Sequence, residues 1–266
     1  MKRLLLFCAI VLAAYASHAY RNTYAVIVGI ADYRDYTSTT GDLSYTVNDA
    51  VKFRDFLMSP NGGSVPAANI CLLTDARATK ERVISEAKRV FAMSAANDRV
   101  IFFFSGHGNR GIFLLYDDVM TYGDLKSVFK KSKSRYKLLF ADACYAGNVK
   151  TDIKSHTVDI GRDKNLQIAM MLACSDGEKS IESNALKQGA FSYYLINGLA
   201  GYADENKNGN ITIRELFKYV KYKTMKFAQK CDSRQTPVLF GNFDMNLIIG
   251  RVNENANMKG LDELND

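Results

Sequence analysis

RVIFFFSGHG, residues 99–108, and YKLLFADACYAG, residues 136–147, are the two stretches that decide how this chain folds. In the first, Val100 to Phe104 run without a polar break, as a strand covered on both faces should. In the second, Tyr136 to Phe140 read as another central strand. Both runs lead through small residues to a reactive side chain, His107 or Cys144. In open parallel sheets, sites form beyond the carboxyl ends of the strands. If these two strands are neighbours, imidazole and thiol meet at that edge.

That meeting is what nucleophilic thiol catalysis requires. His107 takes the proton, Cys144 attacks a carbonyl carbon, and His107 protonates the leaving amine. The flanking glycines let backbone approach a substrate, so the N–H groups of Gly108 and Cys144 can face the developing oxyanion. Taken singly, a cysteine after an apolar strand reads as packing and a Gly-His-Gly as a turn. Together they read as a dyad, because the only other histidine beyond the N-terminal segment, His156, lies in an irregular loop.

Working outward, apolar strand-like runs alternate with helix-period segments, which predicts an α/β fold with a mostly parallel central sheet flanked by helices. Strands are expected at Tyr24–Ile30, Asn69–Leu73, Gln167–Cys174 and, as an edge, Pro237–Phe240. Ile112–Tyr116 reads as a short strand or hairpin arm. Helices are expected at Asn48–Met58, Thr79–Ala95, Tyr122–Lys131, Phe191–Ala203 and Ile213–Gln229. Residues 145–165 carry many charges without periodicity and read as a mobile loop. The tail from Asn253 is polar and reads as disordered.

The 266 residues suit one decorated α/β domain, and 47% hydrophobic with 24% charged residues excludes a disordered chain. The net charge is +7. The positive residues are scattered rather than interleaved with aromatics, which argues against nucleic-acid binding. Residues 1–19 have every part of a signal peptide. Lys2-Arg3 is the charged start, Leu4 to Ala14 the short apolar core, and Ser17-His18-Ala19 a cleavage site. A secreted or periplasmic mature protein, with no membrane attachment after cleavage, is therefore expected. Removing Lys2 and Arg3, two of the seven net positive charges, leaves +5. The remaining cysteines, Cys71, Cys144, Cys174 and Cys231, fit neither a dense disulfide framework nor a zinc site.

The pair SGHG and DACYAG resembles the caspase-like peptidases, most of all the metacaspases and their bacterial relatives. The resemblance runs from YAVIVGI at Tyr24–Ile30 to QTPVLFG at Gln235–Gly241. It includes LSYTVNDA at Leu43–Ala50, ACSDGEKS at Ala173–Ser180 and QGAFSYYL at Gln188–Leu195. Thr46 departs from it, standing where a cysteine is frequent. The resemblance implies a caspase-like domain over residues 20–252 and a Cys/His dyad that needs no cofactor for its chemistry. It also implies endopeptidase activity on protein or peptide substrates, with a monomer expected.

Substrate preference follows position by position. Where caspases carry glutamine two residues before the nucleophile, this chain has Asp142, and its NDA motif adds Asp49. Metacaspases line their specificity pocket with these two acids. Paired carboxylates attract a guanidinium or ammonium and repel an acid, so cleavage after Arg or Lys is expected. Asp49 also suits a helix N-terminus, where the dipole favours a carboxylate, and Asp142 a strand-end hydrogen bond. Basic residues in loop 145–165, Lys150, Lys154, Arg162 and Lys164, offer sites for self-processing.

Asp204 to Glu215 fits a twelve-residue calcium loop. Asp204, Asn206 and Asn208 stand at positions one, three and five, Asn210 at seven, Thr212 at nine and Glu215 at twelve, with Gly209 at the turn. The same residues also read as a polar turn with Thr212 as helix cap and Glu215 as its capping-box partner. The acidic cluster through which metacaspases are commonly calcium-activated is represented here by Asp117, Asp118 and Asp124, without the full set. Two other readings remain: a non-catalytic caspase-like binding or scaffold protein, against which the intact dyad counts, and a legumain-like, asparagine-directed peptidase, against which the two acids count.

Overall fold

A computed structural model describes residues 20–35, 41–109, 111–144 and 167–252. The segments read above as a signal peptide (1–19), a mobile loop (145–165) and a disordered tail (253–266) lie outside the described residues.

The main sheet is built from β1 (Thr23–Gly29), β2 (Ile70–Thr74), β3 (Arg99–Ser105), β7 (Tyr136–Asp142), β8 (Ile168–Leu172) and β12 (Val238–Asn242). Its order is β12-β8-β7-β3-β1-β2. All pairs are parallel except β12 with β8, so the expected edge strand is an antiparallel one. The expected α/β architecture is present. Every residue of β3 is buried, and its alternating side chains feed two cores.

On one face Val26, Phe102, Phe104 and Leu139 pack against α2 (Lys80–Ala92) and α3 (Tyr122–Phe129). On the other Ile27, Ile101, Phe103 and Phe140 pack against α1 (Thr46–Met58), α4 (Ala190–Asn197) and α5 (Ile213–Lys230). Phe53 of α1 stacks on Phe103 with ring centroids 4.5 Å apart. Each buried side chain of this size contributes roughly 2 kcal/mol.

Small strands decorate this frame. β4 (Gly108–Asn109), β5 (Ile112–Leu114) and β6 (Val119–Thr121) form a three-stranded sheet directly after His107. The expected hairpin arm at Ile112–Tyr116 is its middle strand. β9 (Glu182–Ser183) pairs with β10 (Gln188–Gly189), and β11 (Asn210–Thr212) with β13 (Ile248–Arg251). The single helix expected over Phe191–Ala203 is corrected. It is α-helical to Asn197, then passes into a wider turn at Gly198–Tyr202, broken by Gly201 at φ 135. Only glycine takes that angle without strain.

Candidate active site

The register of β3 on β7 builds the site. Ser105 lies opposite Asp142, and the Gly106 N–H donates to the Asp142 carbonyl at 3.1 Å. His107 and Cys144 each follow two residues after these partners. Alternation also sends Ser105 and Asp142 to the face of the sheet that α1 and α4 cover, where Asp49 and Ser192 await them. His107 and Cys144 line one pocket together with Thr46, Asp49, Ser105, Asp142, Ser180, Glu182 and Gly189. The predicted dyad and both predicted acids are thus brought to one place.

Gly108 allows the two strand ends to close. A Cβ there would meet the Ala143 Cβ at 2.9 Å and the Cys144 carbonyl oxygen at 3.1 Å. Gly108→Ala is therefore expected to push the His107 turn away from Cys144. It should cost about 1–3 kcal/mol of stability and at least about tenfold in kcat/KM, read by thermal melting and peptide hydrolysis.

His107 is held from two sides that its own motif does not reveal. Its backbone N–H donates to the Tyr33 hydroxyl at 2.6 Å, and the two rings lie 5.0 Å apart. Gly106 makes room for that hydroxyl, since a Cβ there would come within 2.6 Å of it. The imidazole Nε2 contacts the Gly41 carbonyl oxygen. A carbonyl only accepts, so this contact calls for an N–H on Nε2 and leaves Nδ1 as the nitrogen to serve as base. Burial pushes the Cys144 thiol up, and the Asp142 and Glu182 carboxyls add to this. The Ser180 backbone N–H and Lys179 pull the other way. The resting thiol is therefore protonated at neutral pH, and a base must remove its proton.

The two acids lie beneath the dyad. Asp49 is 1% exposed and Asp142 5%. Asp49 accepts from the Ser105 hydroxyl at 2.9 Å, the Gly189 N–H at 3.0 Å and the Gln188 side-chain amide at 3.4 Å. Asp142 accepts from the Ser192 hydroxyl at 2.7 Å, the Ser192 N–H at 3.0 Å and the Ser180 hydroxyl. A Cβ on Gly189 would run into an oxygen of Asp142 and lie 3.1 Å from one of Asp49, so the carboxyls converge on that glycine.

Burial raises both carboxyls. Asp49 is held well above the usual range, with Asp142 as the second cause and the hydrogen bonds from Ser105, Gly189 and Gln188 opposing. For Asp142 the hydrogen bonds from Ser180 and Ser192 oppose burial, and Glu182 adds to it. Asp49 also lies in the first turn of α1, so the helix-terminus reading and the pocket reading coincide in one residue.

The segment from Ser180 to Gly189 stitches the site together. Glu182 accepts from the N–H groups of Ser44 and Tyr45, fixing the start of α1 and with it Asp49. Gln235 accepts from Ile181 at 3.1 Å and donates to the Ser180 hydroxyl at 3.0 Å. Thr46 donates to the Ile30 carbonyl at 2.7 Å. Cys174 is buried as expected, but just past β8, with its thiol donating to the Ala143 carbonyl at 3.1 Å. All four described cysteines are free thiols.

The calcium-type loop lies elsewhere, between the Gly198–Tyr202 turn and α5. Asp204 accepts from the N–H groups of Asn208 and Gly209, and Asn208 from that of Asn210. Thr212 and Glu215 form the reciprocal capping box. The Asn206 side-chain amide donates to Glu215 at 2.9 Å. The donor set is all oxygen, as a hard cation requires. Both Glu215 oxygens, however, already accept hydrogen bonds. Among the described residues no cluster of three or more His, Cys, Asp or Glu is placed to hold a metal.

Fold and site together define a domain of caspase type. The family model for the caspase domain matches residues 22–245, and the chain belongs to that peptidase family. A probable protease of a Desulfuromonadales bacterium is 25% identical over 258 residues, covering 81% of this chain. This chain spans 31% of that relative's length. Two solved structures share the fold. A Geobacter sulfurreducens protein has TM-score 0.63 at 17% identity, covering 88% of this chain and all of its own. Caspase-1 from Spodoptera frugiperda has TM-score 0.63 at 12% identity, covering 90% of this chain and 94% of its own.

Proposed function

We propose that this protein is an exported, monomeric cysteine endopeptidase that cleaves after Arg or Lys. The observation that carries the specificity is the convergence of Asp49 and Asp142 on Gly189 in the pocket that Cys144 and His107 share. His107 Nδ1 accepts the Cys144 proton as the sulfur attacks the scissile carbonyl carbon. The oxygen takes the electron pair and faces the N–H groups of Gly108 and Cys144. Collapse breaks the C–N bond, and His107 returns the proton to the departing amine. Water, deprotonated by the same imidazole, then attacks the thioester and frees Cys144. None of these steps needs a cofactor.

The pocket leaves about 30 Å³ free, room for water but not for an arginine side chain. Substrate binding therefore moves its lining. Self-processing in loop 145–165 at Lys150, Lys154, Arg162 or Lys164 follows from the same specificity.

Matched peptides with Arg, Lys, Asp or Asn before the scissile bond test this reading. Hydrolysis after Arg and Lys at least about a hundredfold faster than after Asp or Asn is expected, vanishing in Cys144→Ala. Asp-directed cleavage would sink the pocket assignment. Asn-directed cleavage would favour the legumain-like reading, and inactivity towards all four the scaffold.

Asp204, Asn206, Asn208, Thr212 and Glu215, with the Asn210 carbonyl, are proposed as a weak calcium site outside this chemistry. The ion would neutralise two carboxylates and stiffen the start of α5. Millimolar calcium is expected to raise the melting temperature of wild type and not of Glu215→Gln. Equal shifts in both proteins would remove the site.

A further inference from the structure

A cavity of about 500 Å³ lies at the opposite end of the sheet from the dyad, near where β3 and β7 begin. It falls within the size range of small-ligand pockets. Phe56, Leu57, Ile101, Leu138 and Leu199 contribute apolar walls. Among the described residues, Arg99 and Arg251 are the charged members of its lining, and no acid lines it.

Among the described residues Arg99 is the one arginine or lysine that is buried, being 3% exposed. Its guanidinium donates to the Thr23 hydroxyl at 3.2 Å and to the Ile249 carbonyl, and lies 3.9 Å from the centre of the Tyr20 ring. Among the described residues no carboxylate pairs with it. A buried cation without an anion is costly, and an anion reaching it is held strongly. In the same wall, the buried Asn61 Oδ1 accepts no hydrogen bond among the described residues. It asks for a donor.

We propose that this cavity binds the carboxyl-terminal end of a peptide whose last side chain is apolar. The α-carboxylate meets Arg99 and Arg251, the last amide N–H donates to Asn61 Oδ1, and the side chain lies on the Phe56 and Ile101 wall. A fatty acid satisfies the arginines and leaves Asn61 without a donor, and a phosphate has no apolar part to lie on the Phe56 and Ile101 wall. A product ending in Arg or Lys brings a third positive charge and is repelled, so this is not a second product site for the dyad.

The probe is N-acetyl-L-phenylalanine, titrated calorimetrically into full-length Cys144→Ala, so that binding is read independently of the proposed peptidase chemistry. Its primary amide lacks the carboxylate, and 3-phenylpropionate lacks the N–H. Saturable binding of the acid is expected, with both analogues weaker, the amide by about tenfold. Arg251→Gln should weaken the acid about tenfold, and Asn61→Asp should abolish saturation by placing an anion against the carboxylate. In the wild-type background, both substitutions should leave peptide hydrolysis unchanged. Arg99→Gln adds a third check where it melts within a few degrees of the parent, and Arg251 and Asn61 decide the matter where it does not. No saturable binding, equal affinity for acid and amide, or indifference to Arg251→Gln and Asn61→Asp would each overturn the proposal.

Discussion

Cys144→Ala is expected to fold like wild type and to lose hydrolysis of arginyl peptides by on the order of 10⁴-fold or more. The thiol is half-buried and its loss removes one sulfur atom, so melting should shift little. The chemical loss is large because no other group can take the sulfur's place. The described neighbours of the pocket supply hydroxyls, at Thr46, Ser105 and Ser180, but Thr46 and Ser105 donate to the Ile30 carbonyl and to Asp49, and Ser180 to Asp142. His107→Ala should fall nearly as far, because burial keeps the resting thiol protonated and leaves it dependent on a base. Steady-state kinetics beside circular-dichroism melts check both. Retained activity in folded Cys144→Ala would mean that the reaction, if any, belongs to other residues.

The second large effect is expected at Asp49. Asp49→Asn keeps the shape of the side chain and its acceptor for the Gly189 N–H, while Ser105 can turn its hydroxyl to accept. It removes a charge that a bound guanidinium would meet. Cleavage after Arg should fall about a hundredfold, while cleavage after the neutral isostere citrulline should change little.

The pH dependence carries the same signature. Asp49 is held well above the usual carboxylate range by burial and by Asp142, so at low pH it is neutral and grips a cation poorly. The ratio of arginyl to citrullinyl kcat/KM should therefore rise as pH climbs through that raised range, and Asp49→Asn should flatten the rise. The ratio cancels the titration of the dyad, which both substrates share.

Stability runs the other way. A carboxyl whose folded pKa lies above its unfolded one favours folding at low pH and loses that advantage as pH rises through the folded value. Asp49→Asn should thus gain in melting temperature over wild type at about pH 8 and show a smaller gain at about pH 5. A variant less stable than wild type at the higher pH, with unchanged arginine specificity, would make Asp49 a structural carboxylate only.

What the sequence revealed follows from which interactions are local. Val100–Phe104 can be read as a doubly covered strand because its whole surroundings are apolar. His107 and Cys144 were legible because each follows its own strand within a few residues. The groups that hold them were not. Tyr33 and Gly41 reach His107 across 74 and 66 residues, and Gly189 reaches Asp49 across 140. No periodicity encodes such a pairing. The segments ACSDGEKS and QGAFSYYL stood out by resemblance. That Ser180, Gln188, Gly189 and Ser192 are donors to the two acids appears once the chain is folded. The break at Gly201 was missed because the surrounding apolar residues keep helical spacing through it, although two glycines three residues apart marked the place.

The most direct measurement is covalent labelling with a peptidyl-arginyl acyloxymethyl ketone, followed by intact mass and peptide mapping. One adduct per chain is expected, on Cys144. It should form at least about a hundredfold more slowly in His107→Ala, and also when citrulline replaces the arginine. Labelling of Cys71, Cys174 or Cys231 in its place, or equal rates in His107→Ala and wild type, would contradict a Cys144/His107 peptidase with an acidic specificity pocket.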